Sequence, residues 1–270
     1  LGHSARDTFQ MLNSRGVYME PKSFAVGLRI EHPQEMINLA LYGEPENPHL
    51  GSASYKVTHS CRNGRGVYSF CMCPGGYVVN ASSEEGLLAV NGMSYHARDG
   101  KNANSALIVT VTPDDFPEEG PLGGIAFQRE LERKAWEAGQ GKIPVQLFQD
   151  FRNHRPSTAL GAVHPCTKGG YILGDVRSVL PEQIGDSIEE GILAFGRKIK
   201  DFDRPDALLS GVESRTSSPV RIVRDQKGSS NIEGIYPCGE GAGYAGGITS
   251  AAMDGIRVAE WICEKFKNSR

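Results

Sequence analysis

The 270-residue chain lacks any apolar run of about 18 residues or more, the length a helix needs to cross a bilayer, so no membrane-spanning helix is expected. It also lacks a charged-then-apolar stretch at its start of the kind that directs secretion. Neither sign of charge dominates. Lys and Arg number 29 against 32 Asp and Glu, and the net charge of −3 offers no field for nucleic acid or an anionic membrane. Internal repeats and low-complexity tracts are missing too, which excludes solenoid and fibrous architectures. The seven histidines (His3, His32, His49, His59, His96, His154, His164) show no His-x-x-x-His or similar ligand spacing, so no metal site is expected. Cysteine is sparse: six residues are scattered through a chain large enough to bury a sizeable core without staples. Free thiols and a reducing, cytoplasmic setting are the expectation.

What is present is a soluble-type pattern, 39% hydrophobic, that switches between helical and strand periodicity. Ser4-x-x-Asp7 followed by Phe9 and Leu12 predicts a short helix over about 5–14, with Gly16 as its C-cap. Ser23–Glu31 reads as a strand ended by His32-Pro33. From about 55 to 112 the pattern is strand after strand: Tyr55–Cys61, Val67–Cys73, Tyr77–Ala81, Leu87–Asn91 and Ala106–Val111. Two amphipathic helices follow, Ile125 to about Ala138 and Ile184 to about Ile199, then strands at Ala207–Val212 and Arg221–Val223.

The most informative stretch is the last one. An apolar run, Ile232–Pro237, precedes Cys238-Gly239-Glu240-Gly241-Ala242-Gly243-Tyr244-Ala245-Gly246-Gly247. Then Ile248, Ala252, Ile256, Ala259, Cys263 and Phe266 recur at helical spacing. This predicts a strand, a glycine turn and a helix with that stripe buried. The helix start carries unpaired N–H groups and partial positive charge, and glycine lets an electron-rich ligand approach the backbone. Gly241-x-Gly243-x-x-Gly246 matches the dinucleotide fingerprint literally, but only one helix and a charged tail follow it, so the ordinary βαβ unit is not expected.

This segment resembles the C-terminal motif of two-domain flavoproteins of the glutathione-reductase-like superfamily, and more narrowly the bacterial family described as uncharacterised FAD-dependent dehydrogenases. Four further segments carry the narrower resemblance: Gly2–Asp7, Ser69–Gly76, Asn91–Ala106 and Gly211–Arg221. The family carries an N-terminal Rossmann unit that holds the ADP half of FAD, and nothing of that kind is found here. With Leu1 not an initiator Met, the chain is expected to be the C-terminal half of a longer protein whose missing N-terminal half is a partner.

The resemblance implies an α+β or α/β fold: an incomplete FAD-binding, Rossmann-like domain (1–19 and 206–270) interrupted by a β-rich, partly helical substrate domain (20–205). It implies FAD as cofactor, with NAD(P)H a possible reductant and a small molecule as substrate. Glu240, with Gly239, would meet the ribityl chain. Gly246, Gly247 and Ile248 would offer N–H groups to the pyrimidine edge, and Gly211 and Val212 would lie on a return strand close to the ring. Arg215 would supply positive charge there, or else pair with Glu213 or Asp225. His3 is a candidate acid or base, against a structural histidine.

Cys71-Met72-Cys73-Pro74-Gly75-Gly76 reads as a strand and a three-residue hairpin connection that sets both thiols on one face. A disulfide between residues two apart would be strained, and three readings stay open: a redox thiol facing the flavin, half a metal site, or ordinary buried thiols. The polar stretch Asn91–Ser105 reads as a long loop, lining a substrate or closed on itself. The function expected is an FAD-dependent oxidoreductase of undefined substrate. The alternatives are a non-catalytic recognition module that binds no flavin by itself and a flavin-dependent RNA-modifying enzyme, against which the acidic balance argues.

Overall fold

The computed structural model describes residues 2–47 and 49–267; Leu1 and the end of the charged tail lie outside them. Among the described residues there are eleven strands: β1 Met19–Pro21, β2 Phe24–Pro33, β3 Thr58–Ser60, β4 Gly66–Asn80, β5 Val90–Ser94, β6 Asn102–Val111, β7 Ile143–Leu147, β8 Thr167–Lys168, β9 Tyr171–Leu173, β10 Leu208–Glu213 and β11 Val220–Ile222. The α-helices are α1 Arg6–Ser14, α2 Gln34–Tyr42, α3 Gly123–Gly139, α4 Phe148–Arg152, α5 Glu182–Gly196 and α6 Ile248–Lys267. The fold is α+β. The chain divides into two compact units, one made of the segments up to Ala25, Val111–Arg129 and from Arg215 onward, the other of Val26–Thr110 and Glu130–Ser214. The segment Val111–Arg129 therefore belongs with the outer pieces, where the sequence pattern had placed it inside one unbroken insertion.

The larger unit is built on a nine-stranded mixed sheet in the order β3-β4-β6-β2-β10-β7-β9, with β5 and β8 also pairing β4. β8 pairs β4 and β9 pairs β7 in parallel; β10 is antiparallel to β2 and β7. β2 is central, and its two-residue alternation explains both of its faces. Val26, Leu28 and Ile30 point one way and are fully buried, whereas Arg29 and Glu31 point the other way and are buried too. α5 contributes Ile184, Ile188, Ile192 and Phe195, an i, i+4, i+8, i+11 stripe, to the apolar core.

Four sequence expectations are corrected here. Pro74-Gly75-Gly76 does not turn the chain: β4 runs through it as one irregular strand whose register against β6 shifts on either side of Cys73. The glycines serve close approach, since a Cβ at Gly75 would sit 1.9 Å from Arg98 O and one at Gly76 2.1 Å from Met93 O. Asn91–Ser105 is mostly strand, because β5 and β6 take up both ends and leave a short connection. The predicted strand Tyr55–Cys61 shortens to β3, and Leu87–Asn91 shifts to β5.

The smaller unit has a small core of Phe9, Val17, Met19, Ile125, Val220, Ile222 and Ala242, edged by Leu12, Leu122, Ile232, Ile235 and Tyr244. Its sheet among the described residues is a two-stranded antiparallel ribbon, β1 with β11, Met19 opposite Ile222. Arg6 on α1 is buried and reaches Gln128 Oε1 at 3.1 Å. Ile232–Pro237 is not a strand. Ile235 N–H bonds Ile232 O and Ser230 N–H bonds Ile235 O, a turn with Gly234 left-handed at φ 85°, so its isoleucines reach the core from a loop.

α6 reverses the expected orientation of its apolar residues. Ile248 is 92% exposed, Ile256 62% and Phe266 58%, while the residues it buries are Asp254 and Val258. The helix is held by its polar side, for the reason given next.

Candidate functional site

In the smaller unit the chain from Tyr236 to Gly247 is shaped by two left-handed glycines, Gly239 (φ 73°) and Gly243 (φ 85°). Tyr244 N–H bonds Gly239 O at 3.0 Å, and a Cβ at Gly243 would lie 2.6 Å from Val220 O, so only glycine lets this turn rest on β11. The turn and α6 share one clamp. Arg224 donates to both carboxylate oxygens of Asp254 (2.9 and 2.7 Å) and to Pro237 O (2.8 Å), and Asp254 also accepts Gly239 N–H at 2.8 Å. The guanidinium lies 3.7 Å from the Tyr244 ring centroid. The pair is nearly buried, and the Arg224 hydrogen bonds hold the Asp254 carboxyl below the usual carboxylate range. Arg224 and Asp254 were missed in the sequence because their separation of 30 residues carries no periodic signal.

Past the turn, the start of α6 is open. A Cβ at Gly246 would meet nothing within 4 Å, and one at Gly247 only Ser250 Oγ at 3.8 Å. Among the described residues no protein acceptor bonds the N–H groups of Gly246, Gly247 or Ile248. A helix start of this kind favours an anionic or electron-rich neighbour by ~0.3–1 kcal/mol.

Glu240 lies earlier in the same turn, half-buried, with His3 Nε2 3.3 Å from its Oε1. Burial first, then the charges of Arg215, Arg6 and Lys22, push the His3 imidazole down to about 4. His3 is therefore neutral at physiological pH, and its contact with Glu240 is not an ion pair. Its Nδ1 is buried without a protein partner. A neutral ring this hard to protonate is unsuited to general-acid work at neutral pH, so the structural reading of His3 is favoured over the acid. Burial, with Arg221, also lowers Lys22, which Glu240 opposes. Cationic side chains thus lie around His3. Of the two partners the sequence offered Arg215, Glu213 binds Arg29 and Asp225 caps its own turn through Lys227 and Ser229 N–H. Nearby, Gly2, Phe9, Ile222, Pro237 and Gly241 line a cleft of about 260 Å³.

The other sequence candidates lie in the larger unit. Gly211 and Val212 are buried on β10, and a Cβ at Gly211 would crowd Leu28 (2.9 Å) and Val176 (3.0 Å). Core packing accounts for this glycine. Cys71 is exposed with φ 42°, Cys73 is half-buried, and all six cysteines are free thiols. Cys73 Sγ lies 3.4 Å from Arg29 Nη2, within a buried network the sequence did not reveal. Arg29 donates to Asn104 Oδ1 (2.9 Å), Glu213 Oε2 (3.2 Å) and Cys71 O (2.5 Å). Burial nevertheless pushes the Cys73 thiol up, so it is not primed as a nucleophile. Glu31 accepts from Asn102 (2.9 Å) and Cys166 N–H (2.9 Å), yet burial lifts its carboxyl to about 7. Asn102 and Cys166 line a cleft of about 810 Å³, with Gln34, Arg98, Lys101 and His164. The one visible signal for Arg29 and Glu31 was two charges interrupting an otherwise apolar strand.

Among known proteins, residues 23–216 match the family model described as "FAD-dependent protein, C-terminal domain-like". The match covers the larger unit and stops before the glycine turn. A protein of Clostridium beijerinckii described as uncharacterized is 54% identical over 271 residues, covering 98% of this chain and 51% of its own length. The chain thus spans about half the length of that relative, and the alignment includes the glycine turn. No helix among the described residues is long and apolar enough to cross a membrane.

Proposed function

Because the chain belongs to the family of FAD-dependent proteins whose C-terminal domain-like model it matches, we propose that it forms one part of an FAD-dependent oxidoreductase. In this reading the smaller unit presents the glycine turn and α6 to the flavin, and the larger unit is the substrate domain. When bound, FAD supplies two-electron transfer, and the protein's part is to position and tune it.

The observation that carries the proposal is the open amino end of α6, with glycines that nothing crowds, following the turn that contains Glu240. Gly246, Gly247 and Ile248 would give N–H groups to the pyrimidine edge, where negative charge collects on reduction. Glu240 would accept from the ribityl hydroxyls, and Arg215, Arg6 and Lys22 would supply the positive field. Polar residues such as Gln34, Arg98 and Asn102 around the larger cleft suit a small, hydrogen-bonding substrate. Gly211 and Val212 are not needed, since packing explains them.

The cleft of about 260 Å³ falls below the ~300–1,000 Å³ that usually encloses a ligand of this kind. The rest of the site, in this proposal, comes from the segment that the relative has beyond the matched half. That segment would also cover the exposed Ile248, Met253, Ile256 and Phe266. The same small cleft favours, as a second reading, a recognition module that holds no flavin by itself. The two readings separate in one experiment, the visible spectrum of the purified chain after mixing with FAD and desalting, alone and co-expressed with that additional segment. Flavin retained only with the segment is the expected result. A colourless complex of both parts would rule the proposal out.

A further inference from the structure

We propose that His59, Cys61 and Glu190 form a binding site for zinc or a similar borderline divalent cation in the larger unit, apart from the flavin-facing turn. A ring nitrogen of His59, Cys61 Sγ and a Glu190 carboxylate oxygen all lie within 4.8 Å of one another, and His59 Nε2 is 3.1 Å from Glu190 Oε1. Around a tetrahedral cation with bonds of ~2.0–2.3 Å, ligand atoms stand about 3.3–3.8 Å apart. The three groups therefore need only small adjustments to enclose one. No spacing in the sequence shows this, because residues 59 and 61 meet residue 190 only through the fold. The proposal departs from the sequence expectation of no metal site, which rested on ligand spacing along the chain.

The surroundings suit a built site rather than a chance ion pair. Cys61 follows β3 in the turn that leads to β4, a turn held by Cys61 N–H to Arg65 O (2.8 Å) and Gly64 N–H to Cys61 O (2.9 Å). Glu190 projects from α5, and Arg62 N–H approaches both its oxygens at 3.2 and 3.4 Å, an outer contact that fixes the carboxylate. The His59 hydrogen bond, followed by Arg62, keeps Glu190 ionised. A histidine–glutamate pair has no use for a thiol in reach, yet a nearly buried one is there, its Sγ 3.6 Å from Ser187 O. His59 and Glu190 keep a partly open side for water as a fourth ligand.

One thiolate and one carboxylate balance the two positive charges. A thiol ligates a cation as its thiolate, which forms as the cation binds. The metal–sulfur bond replaces the S–H bond and one proton leaves to solvent per cation bound. Arg62 and Lys198, whose Nζ bonds Thr58 O at 2.6 Å, are the cationic neighbours. The bound ion would clip the β3–β4 turn to α5.

Cobalt(II) titration of the purified chain tests this. One equivalent is expected to give the sulfur-to-cobalt charge-transfer band and the visible bands of tetrahedral cobalt, which zinc abolishes. Cys61→Ser should lose the band, and His59→Gln and Glu190→Gln should weaken binding by at least about tenfold. Absence of the band, or its survival in Cys61→Ser, overturns the proposal. Should Cys61→Ser fail to fold, the melting temperature decides. Zinc is expected to raise it in the parent chain and not in Glu190→Gln, and an equal effect in both, or none in the parent, overturns the proposal equally.

Discussion

Replacing Arg224 with alanine is expected to destabilise the smaller unit by ~3–5 kcal/mol, the usual cost of removing one partner from a buried ion pair. Both side chains are 9% exposed, so solvent screens the pair little. The loss is compounded because the guanidinium also binds Pro237 O and covers the Tyr244 ring, and because Asp254 must then hold Gly239 N–H as an unpaired carboxylate. With ~5–15 kcal/mol available to a whole domain, a core as small as this one should melt early in the variant. Denaturant unfolding followed at Trp261, 5.4 Å from the Arg224 guanidinium, reads the effect. The pH dependence has a definite sign. Arg224 depresses Asp254, so the pair's contribution is complete above the unfolded carboxylate value of ~3.9 and fades as pH falls through the lower folded value. Parent and variant should therefore converge in acid. A cost under about 1 kcal/mol, or a gap that widens in acid, would show that the clamp does not hold the turn.

The second large effect is expected in the larger unit. Arg29→Met leaves Glu213 buried without its cation and should likewise cost ~3–5 kcal/mol. Burial already raises the Glu213 carboxyl, with Arg29 opposing, so removing Arg29 raises it further. A carboxyl with a raised folded value loses stability as pH climbs above its unfolded value of ~4.3, and the deficit of Arg29→Met should grow from pH 5 to pH 8. Arg29→Met with Glu213→Leu should recover most of the loss, because the desolvation cost of both charges goes with them. Urea midpoints at the two pH values measure this. A double variant no better than the sum of the singles would mean that packing or the Asn104 bond, not charge, is what the network supplies.

The elements that depend on local periodicity were legible. Helices α1, α3 and α5 lie close to where apolar spacing puts them, although the N-cap of α1 is Ala5 with no side-chain cap, not the Ser4 capping box, and β2 reads directly from its alternating Val26, Leu28 and Ile30. What failed was context. Pro74-Gly75-Gly76 has hairpin chemistry, but its glycines answer to the crossing backbone at Met93 and Arg98, which no local rule sees. The Ile248–Phe266 stripe has the spacing of a buried face, yet the polar clamp at Asp254 decides which side of α6 meets its own unit. The candidate site was half legible: Glu240 and the glycines come from a recognisable turn, whereas Arg224, Arg29 and Glu31 act through partners distant in sequence. The family match, ending at residue 216, supports the larger unit more directly than the turn.

The account rests on the amino end of α6 as the place where a flavin's pyrimidine edge lies, and Gly247→Val addresses it directly. A Cβ there meets only Ser250 Oγ at 3.8 Å, and Gly247 is not among the glycines with positive φ, so the chain itself should lose no more than about 0.5 kcal/mol. FAD affinity, measured by fluorescence titration of the protein joined to its additional segment, should fall by about tenfold or more, since the new side chain stands where the ring must approach. A folded variant that binds FAD as tightly as the parent would contradict the account.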